Sequence, residues 1–375
     1  MTQREIATLR RRFRSDRTNI NRICGCFVSS GGEILSEFEQ GLGLLAEEDT
    51  DVMLGFLKKT MSGALRRNLL EIEFSTAQVL EGEEHKLLTE LRNSELANKE
   101  AVRALFDKII GAYVSEDNYV ILLAHDRCDI FGESADGGKD YESTSSFSYV
   151  ICAVCPVKEG KTVMSYYMPG SCFRSVAADS VVSMPQVGFM FPVLEDKGAN
   201  IYKSLYYTKD LGNNREALLD ALFAAEKKPM PAIEQKATFG SMLEETMEDD
   251  CSMGVVKAVH GQLCNMIEEH KQEKTDEPLV ISKNEAGSLL RCCGVSAERV
   301  ETFEEKFEEA FGRDAEINPG NLAVNKRIEV STPDVTIKVS PGHGDLLETR
   351  VIDGIKYILV RADSDVEVNG VNIQI

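Results

Sequence analysis

Two continuous apolar runs constrain the fold of this chain more than any other feature. Tyr119-Val-Ile-Leu-Leu-Ala-His125 is too short for a typical helix, and Phe147–Val157 is similar and rich in β-branched residues. Both predict strands buried within a sheet. Between them, residues 132–146 read as a polar loop containing Gly137-Gly138.

The segments around these runs have other periods. Residues 2–14 predict a short helix with Ile6, Leu9 and Phe13 on one face. Ile20–Ser29 reads as extended and stops at the turn Gly31-Gly32. Residues 34–45 and 51–70 read as helical, the second with the stripe Val52, Phe56, Met61, Leu65 and Leu69, and 76–108 holds one or two further helices. Residues 160–210 mix turn signals with short aromatic runs (Tyr166-Tyr167, Phe189-Met-Phe191, Leu205-Tyr-Tyr207), which suggests strands and irregular structure of the same sheet. Pro229 and Pro231 make 227–231 the best linker.

Beyond this linker the chain turns acidic and helical. Val255, Val256, Val259, Leu263, Met266 and Ile267 lie on one face. Ser282-Lys-Asn-Glu285 has the form of a capping box, Gly294 is placed to end that helix, and Ser296 can cap one striped by Val300, Phe303, Phe307 and Phe311. From Lys326 the period switches to two, with hairpin dipeptides at Asp353-Gly354 and Asn369-Gly370. The fold class is therefore α+β: N-terminal helices with a mixed or antiparallel sheet over 1–230, an acidic helical region over 231–325, and a C-terminal antiparallel β meander over 326–375.

The charge balance is 42 − 62 = −20, which repels phosphate and anionic membrane unless a basic patch is set apart. Residues 1–22 are such a patch, with seven arginines against Glu5 and Asp16, or 7 − 2 = +5. Arg10, Arg11, Arg12, Arg14, Arg17 and Arg22 are accordingly the candidate nucleic-acid or partner-binding residues, helped at most by Arg66 and Arg67. The one aromatic residue among them, Phe13, lies on the apolar face with Ile6 and Leu9, so stacking on single strands has no support there. The alternative is a solvated helix salt-bridged to the acidic body. The arginine-rich start runs into polar Ser15-Asp16-Arg17-Thr18-Asn19, unlike a secretory signal. No apolar run approaches 18 residues. The expected compartment is the cytoplasm, with no membrane contact and reduced thiols.

Motifs with chemistry are sparse. There is no phosphate loop, no Gly-x-Ser-x-Gly elbow and no His-Glu-x-x-His. His125-Asp126 with Asp129, at the end of a buried strand, is the most enzyme-like spot, able to bind metal or act as base and acid. Its bland reading is a hydrogen-bonded histidine at a strand end. Cys24-Gly-Cys26 and Cys152-Ala-Val-Cys155 could give zinc four thiolates, but i and i+3 in a strand face opposite ways, which favours cysteines packed as small hydrophobes. His260 and Cys264, at i and i+4, read as surface and core. No metal, cofactor or catalytic residue is assigned.

Several strings together resemble a known family: Arg22-Ile-Cys-Gly-Cys26, Ser62-Gly63 with Asn68-Leu-Leu-Glu-Ile-Glu-Phe74, Leu122-Leu-Ala-His-Asp126, Met184-Pro-Gln-Val-Gly-Phe189 and Leu205-Tyr-Tyr-Thr-Lys209. They are similar to an uncharacterised bacterial family of unknown function found in Firmicutes, mostly Clostridia, over the whole chain. That resemblance implies no activity, cofactor or catalytic residue. A weaker, architectural resemblance is to the 37-kilodalton nucleoid-associated proteins, carried by Thr60–Leu70, Tyr119–His125, Phe147–Cys155, Val295–Phe311 and Lys326–Val339. It implies cytoplasmic, non-catalytic association with DNA.

The leading expectation is a non-catalytic interaction protein that meets double-stranded DNA or a protein partner through its basic N-terminus. The first rival is a protein–protein scaffold using the acidic helices 232–311. The second is a metal-dependent hydrolase at His125 and Asp126.

Overall fold

A computed structural model of the chain describes residues 1–133, 139–158, 160, 163–176, 180–273, 275, 277–323, 327–362 and 366–374. It divides into two compact units, one built on Met1–Pro231 and the other on Ala232–Thr275 with Leu279–Ile375. The fold is α+β, with a mostly antiparallel sheet and antiparallel strand pairs at the C-terminal end.

The first unit runs α1 (Gln3–Arg10), β1 (Arg22–Val28), β2 (Ile34–Gly41), α2 (Glu47–Lys59), β3 (Leu69–Glu73), α3 (Thr76–Glu81), α4 (Glu83–Asn93), α5 (Lys99–Ala112), β4 (Asn118–Glu133) and β5 (Lys139–Lys158). It continues with β6 (Val163–Tyr167), β7 (Cys172–Val176), β8 (Val181–Val182), β9 (Val187–Phe191), β10 (Val193–Glu195), β11 (Gly198–Asn200), β12 (Lys203–Thr208) and α6 (Glu216–Phe223). The main sheet has the order β2-β1-β4-β5-β9-β12-β3, with β8 on β5 and antiparallel pairing throughout.

Both faces of this sheet are covered, which is why β4 and β5 read as unbroken apolar runs. Ile121, Leu123, Cys152 and Val154 pack with Leu88, Leu105, Phe106 and Leu219 of α4, α5 and α6. The alternate residues Val120, Leu122, Ala124, Ile151 and Ala153 pack with Ile6, Leu9, Leu54 and Leu57 of α1 and α2. Each large side chain buried this way contributes about 1.5–3 kcal/mol, so two-sided burial makes β4 and β5 the core of the unit.

Several expected elements differ. Residues 34–45 are not a helix: β2 pairs with β1 through the Gly31-Gly32 turn, and only Leu42–Leu44 form a 3-10 turn. β2 is an edge strand whose apolar residues Ile34, Leu35 and Phe38, followed by Leu42 in the 3-10 turn, have a spacing that imitates a helical stripe. The helix expected over 51–70 starts at Glu47 and stops at Lys59. Gly63 (φ 145°) and Arg66 (φ 62°) turn the chain, so Met61, Leu65 and Leu69 are buried from a turn and a strand. Most of the polar loop expected over 132–146 is strand, because β4 and β5 extend past the core to Glu133 and Lys139. Gly137-Gly138 lies outside the described residues. Tyr166-Tyr167 belongs to a separate β6–β7 ribbon rather than to the main sheet.

The second unit contains α7 (Ala232–Met247), α8 (Met253–Glu273), α9 (Lys283–Cys292), α10 (Ala297–Phe311) and α11 (Pro319–Leu322). Ser282 and Glu285 close a capping box, and Gly294 (φ 85°) lies just past the end of α9. Phe239, Val259, Leu263, Val300, Phe303 and Phe307 form the core. Six strands complete the unit: β13 (Ile328–Ser331), β14 (Thr336–Val339), β15 (Leu347–Ile352), β16 (Ile355–Val360), β17 (Val366–Val368) and β18 (Val371–Ile373). Among the described residues they form three separate two-stranded ribbons rather than one meander, with a 3-10 turn at Gly344–Leu346. Asp353-Gly354 and Asn369-Gly370 have positive φ at both residues, as the favoured tight hairpin turn requires.

Candidate interaction surface

The N-terminal arginines do not form one free patch. The Arg12 guanidinium grips Asp126 with two bonds, Nε to Oδ2 at 3.0 Å and Nη2 to Oδ1 at 3.1 Å. Asp126 is 1% exposed and also accepts from the Tyr149 hydroxyl at 2.9 Å. Burial, then the neighbouring carboxylate, holds the Tyr149 hydroxyl well above the usual phenol range. Arg22 is tied to Glu39 (2.7 Å) and to the Glu95 carbonyl (3.0 Å). Arg14 and Arg17 share Asp16 at 3.0 and 3.5 Å. Arg10 is half-buried on α1, and Arg11 is exposed. Arg66 and Arg67 are half-buried in the turn before β3. Of the six candidates, Arg11, Arg14 and Arg17 therefore remain at the surface, the last two already beside a carboxylate.

His125 and Asp126 are split by the pleat of β4. Asp126 faces the α1 side with Arg12, while His125 faces the opposite side, where its Nε2 lies 2.7 Å from Ser148 Oγ. There it lines a polar cleft of about 650 Å³ with Asn21, Arg22, Glu95, Arg127 and Asp129. Burial lowers the histidine's pKa. Adjacent strand residues on opposite faces cannot close on one ion, so of the expected constellation Asp126 is set apart, while His125 and Asp129 line the same cleft. Asp126 is a structural carboxylate.

Of the two cysteine pairs, Cys152 and Cys155 separate in the same way. Cys152 lies in the core under α4–α6 and Cys155 in the core under α1–α2. Cys24 and Cys26 share the former face. Burial pushes the Cys26 and Cys128 thiols up to about 11 and Cys155 to about 12. Cys172 and Cys292 are exposed. A thiol-reactive chromophore should therefore modify Cys172 and Cys292 first and leave Cys24, Cys26, Cys128, Cys152 and Cys155 unmodified until denaturant is added. Rapid native-state labelling of any of those five would contradict their packing.

The surface that sequence reasoning missed is the β6–β7 ribbon. Its strands pair from Val163↔Val176 to Tyr167↔Cys172, joined by a 3-10 turn at Met168–Gly170 and Ser171 in left-handed backbone. Opposite residues of an antiparallel pair share a face. Met164, Tyr166 and Phe173 thus line one side, and the Tyr166 and Phe173 rings meet edge-on at 5.2 Å. On the other side the Arg174 guanidinium sits 4.2 Å over the Tyr167 ring. Met164 and Phe173 are each 68% exposed and Met168 at the turn 79%. An isolated two-stranded hairpin is marginal in water. Contiguous exposed apolar surface is characteristic of interaction sites, which makes the ribbon the candidate surface. The available signal was two aromatic runs flanking Met168-Pro-Gly-Ser171 with no charge between Val163 and Phe173.

A family model described as a domain of unknown function (DUF4317) matches residues 1–371. No curated protein matches the chain, so the likeness to nucleoid-associated proteins gains no support there. Among the described residues, no helix is long and apolar enough to cross a membrane.

Proposed function

The chain belongs to the DUF4317 family, and from that premise we propose that it is a non-catalytic cytoplasmic scaffold that holds a protein partner through the β6–β7 ribbon. The observation that carries this reading is the exposure of Met164, Met168 and Phe173 on a ribbon outside the main sheet. Methionine, tyrosine, phenylalanine and arginine are the types enriched in the cores of protein interfaces, and they make up six of the fourteen residues 163–176. Residues 163–176 carry one charged residue, Arg174, and no acidic residue, in a chain of net charge −20. The partner this suits offers an apolar groove rimmed by carboxylates. Contact through the N-terminal arginines is less favoured, because Arg12 and Arg22 are committed to Asp126 and Glu39.

The test is retention from lysate on immobilised full-length protein, with and without nuclease. The partner should survive nuclease and be retained at least tenfold less by the double variant Met164→Ser with Phe173→Ser. It should be retained normally when Arg11, Arg14 and Arg17 are replaced by Gln. Loss with the arginine variant, or with nuclease, would overturn the ribbon assignment in favour of nucleic-acid contact.

A further inference from the structure

The second unit contains a groove unrelated to the ribbon. Phe239, Gly240 and Leu243 of α7 face it from one side, and Val256, Val259 and Leu263 of α8 from the other. Leu322 and Ala323 at α11 and Ile328 of β13 complete the apolar lining, and His260 of α8 is among the polar lining residues. The cavity measures about 270 Å³. Phe239, Val259, Leu263 and Leu322 are buried and belong to the core, whereas Leu243 and Ile328 are only half-covered.

The rim is cationic. Lys236, Lys257 and Arg327 line the groove against one carboxylate, Glu329, or 3 − 1 = +2. Glu329 is matched by Lys338 at 3.5 Å. Lys257 is held by a hydrogen bond to the Leu347 carbonyl at 3.2 Å. The helical region 232–311 around it carries 8 − 18 = −10, so three cations gathered at an apolar opening run against the local charge.

Gly240 gives the groove its open wall. It lies inside α7, where glycine is a poor helix former, and a Cβ built on it would meet nothing within 4 Å. No protein neighbour requires a small residue there.

We propose that this groove binds a linear apolar carboxylate, a medium-chain fatty acid, with its chain against Phe239, Val259 and Leu263 and its carboxylate at Lys236, Lys257 and Arg327. A volume just below the range of ordinary ligand pockets suits an acyl chain of about eight to ten carbons rather than a ring system or the face of a helix. Charge complementarity selects the anion. The inference is independent of the ribbon reading.

The experiment is calorimetric titration of the full-length protein with hexanoate, octanoate and decanoate. Affinity should rise about fourfold per added methylene and level off once the groove is filled. Decanol and decyltrimethylammonium should bind at least tenfold more weakly than decanoate. Gly240→Leu should fill the groove and abolish binding while leaving the unfolding midpoint unchanged or higher. Lys236→Glu with Arg327→Glu should weaken decanoate at least tenfold and leave decanol unchanged. Several results would overturn the proposal: absence of saturable decanoate binding, equal affinity for decanol, binding that survives Gly240→Leu, or displacement of decanoate by an acidic amphipathic peptide at far lower concentration.

Discussion

Replacing Arg12 by alanine should destabilise the first unit by about 3–5 kcal/mol, because it leaves a buried carboxylate without its cation. Asp126 is 1% exposed and has three hydrogen-bond donors, two from Arg12 and one from Tyr149. Removing the guanidinium deletes two of them together with the compensating charge. For a unit of this size that corresponds to a fall in unfolding midpoint of roughly 10 °C. The reverse change, Asp126→Asn, should cost less, since the Arg12 side chain is 22% exposed and can regain water. In a double-mutant cycle the two changes should fall short of additivity by at least about 1 kcal/mol, as expected for groups in direct contact. Thermal unfolding measured by circular dichroism checks this. An Arg12→Ala protein within about 1 kcal/mol of the parent would mean that Tyr149 alone keeps Asp126 satisfied. A test of the N-terminal arginines as a binding patch must therefore spare Arg12, or lost folding will be mistaken for lost binding.

The parts of the fold legible in the sequence are those where one local pattern had one outcome. β4 and β5 could be read because burial on both faces leaves no polar alternation. The capping box at Ser282 and the two tight turns at Asp353-Gly354 and Asn369-Gly370 could be read because their backbone needs particular residue types. β2 could not. Its hairpin pairing with β1 outweighs a helix-like spacing of apolar residues, and strand pairing is invisible to periodicity within the segment itself. The candidate site shows the same division. The arginine cluster was plain as composition, but its partition among Asp126, Glu39 and Asp16 depends on tertiary neighbours. His125 and Asp126 looked like a pair only until the pleat sent them to opposite faces. The ribbon was hidden for a different reason: exposed aromatic residues and core aromatic residues have the same letters, and only the absence of a covering layer separates Phe173 from Phe189.

Gly188→Ala should destabilise the first unit by about 3 kcal/mol or more, above the usual range for an added methyl in a packed core, whereas Gly55→Ala should stabilise it by roughly 0.5–1 kcal/mol. Gly188 is in β9, between Ala153 of β5 and Tyr207 of β12. A Cβ there would lie 2.5 Å from the Cys152 carbonyl oxygen and collide with the Thr60 methyl. Neither neighbour can give way cheaply. The carbonyl belongs to the backbone of a central strand, and Thr60, 2% exposed, caps α2 with its hydroxyl donated to the Leu57 carbonyl at 2.7 Å. Gly188 is thus where the end of α2 is let down onto the sheet. Gly55 sits in that same helix, and a Cβ there meets nothing within 4 Å, so alanine gains only helix propensity. Chemical denaturation of the two variants gives the comparison directly. If Gly188→Ala were as stable as the parent, α2 would have to lie farther from β9 than the geometry places it. If Gly55→Ala were destabilising, its surroundings would have to be filled. Opposite signs from one substitution on two contacting elements are the outcome that close approach of α2 to the sheet demands.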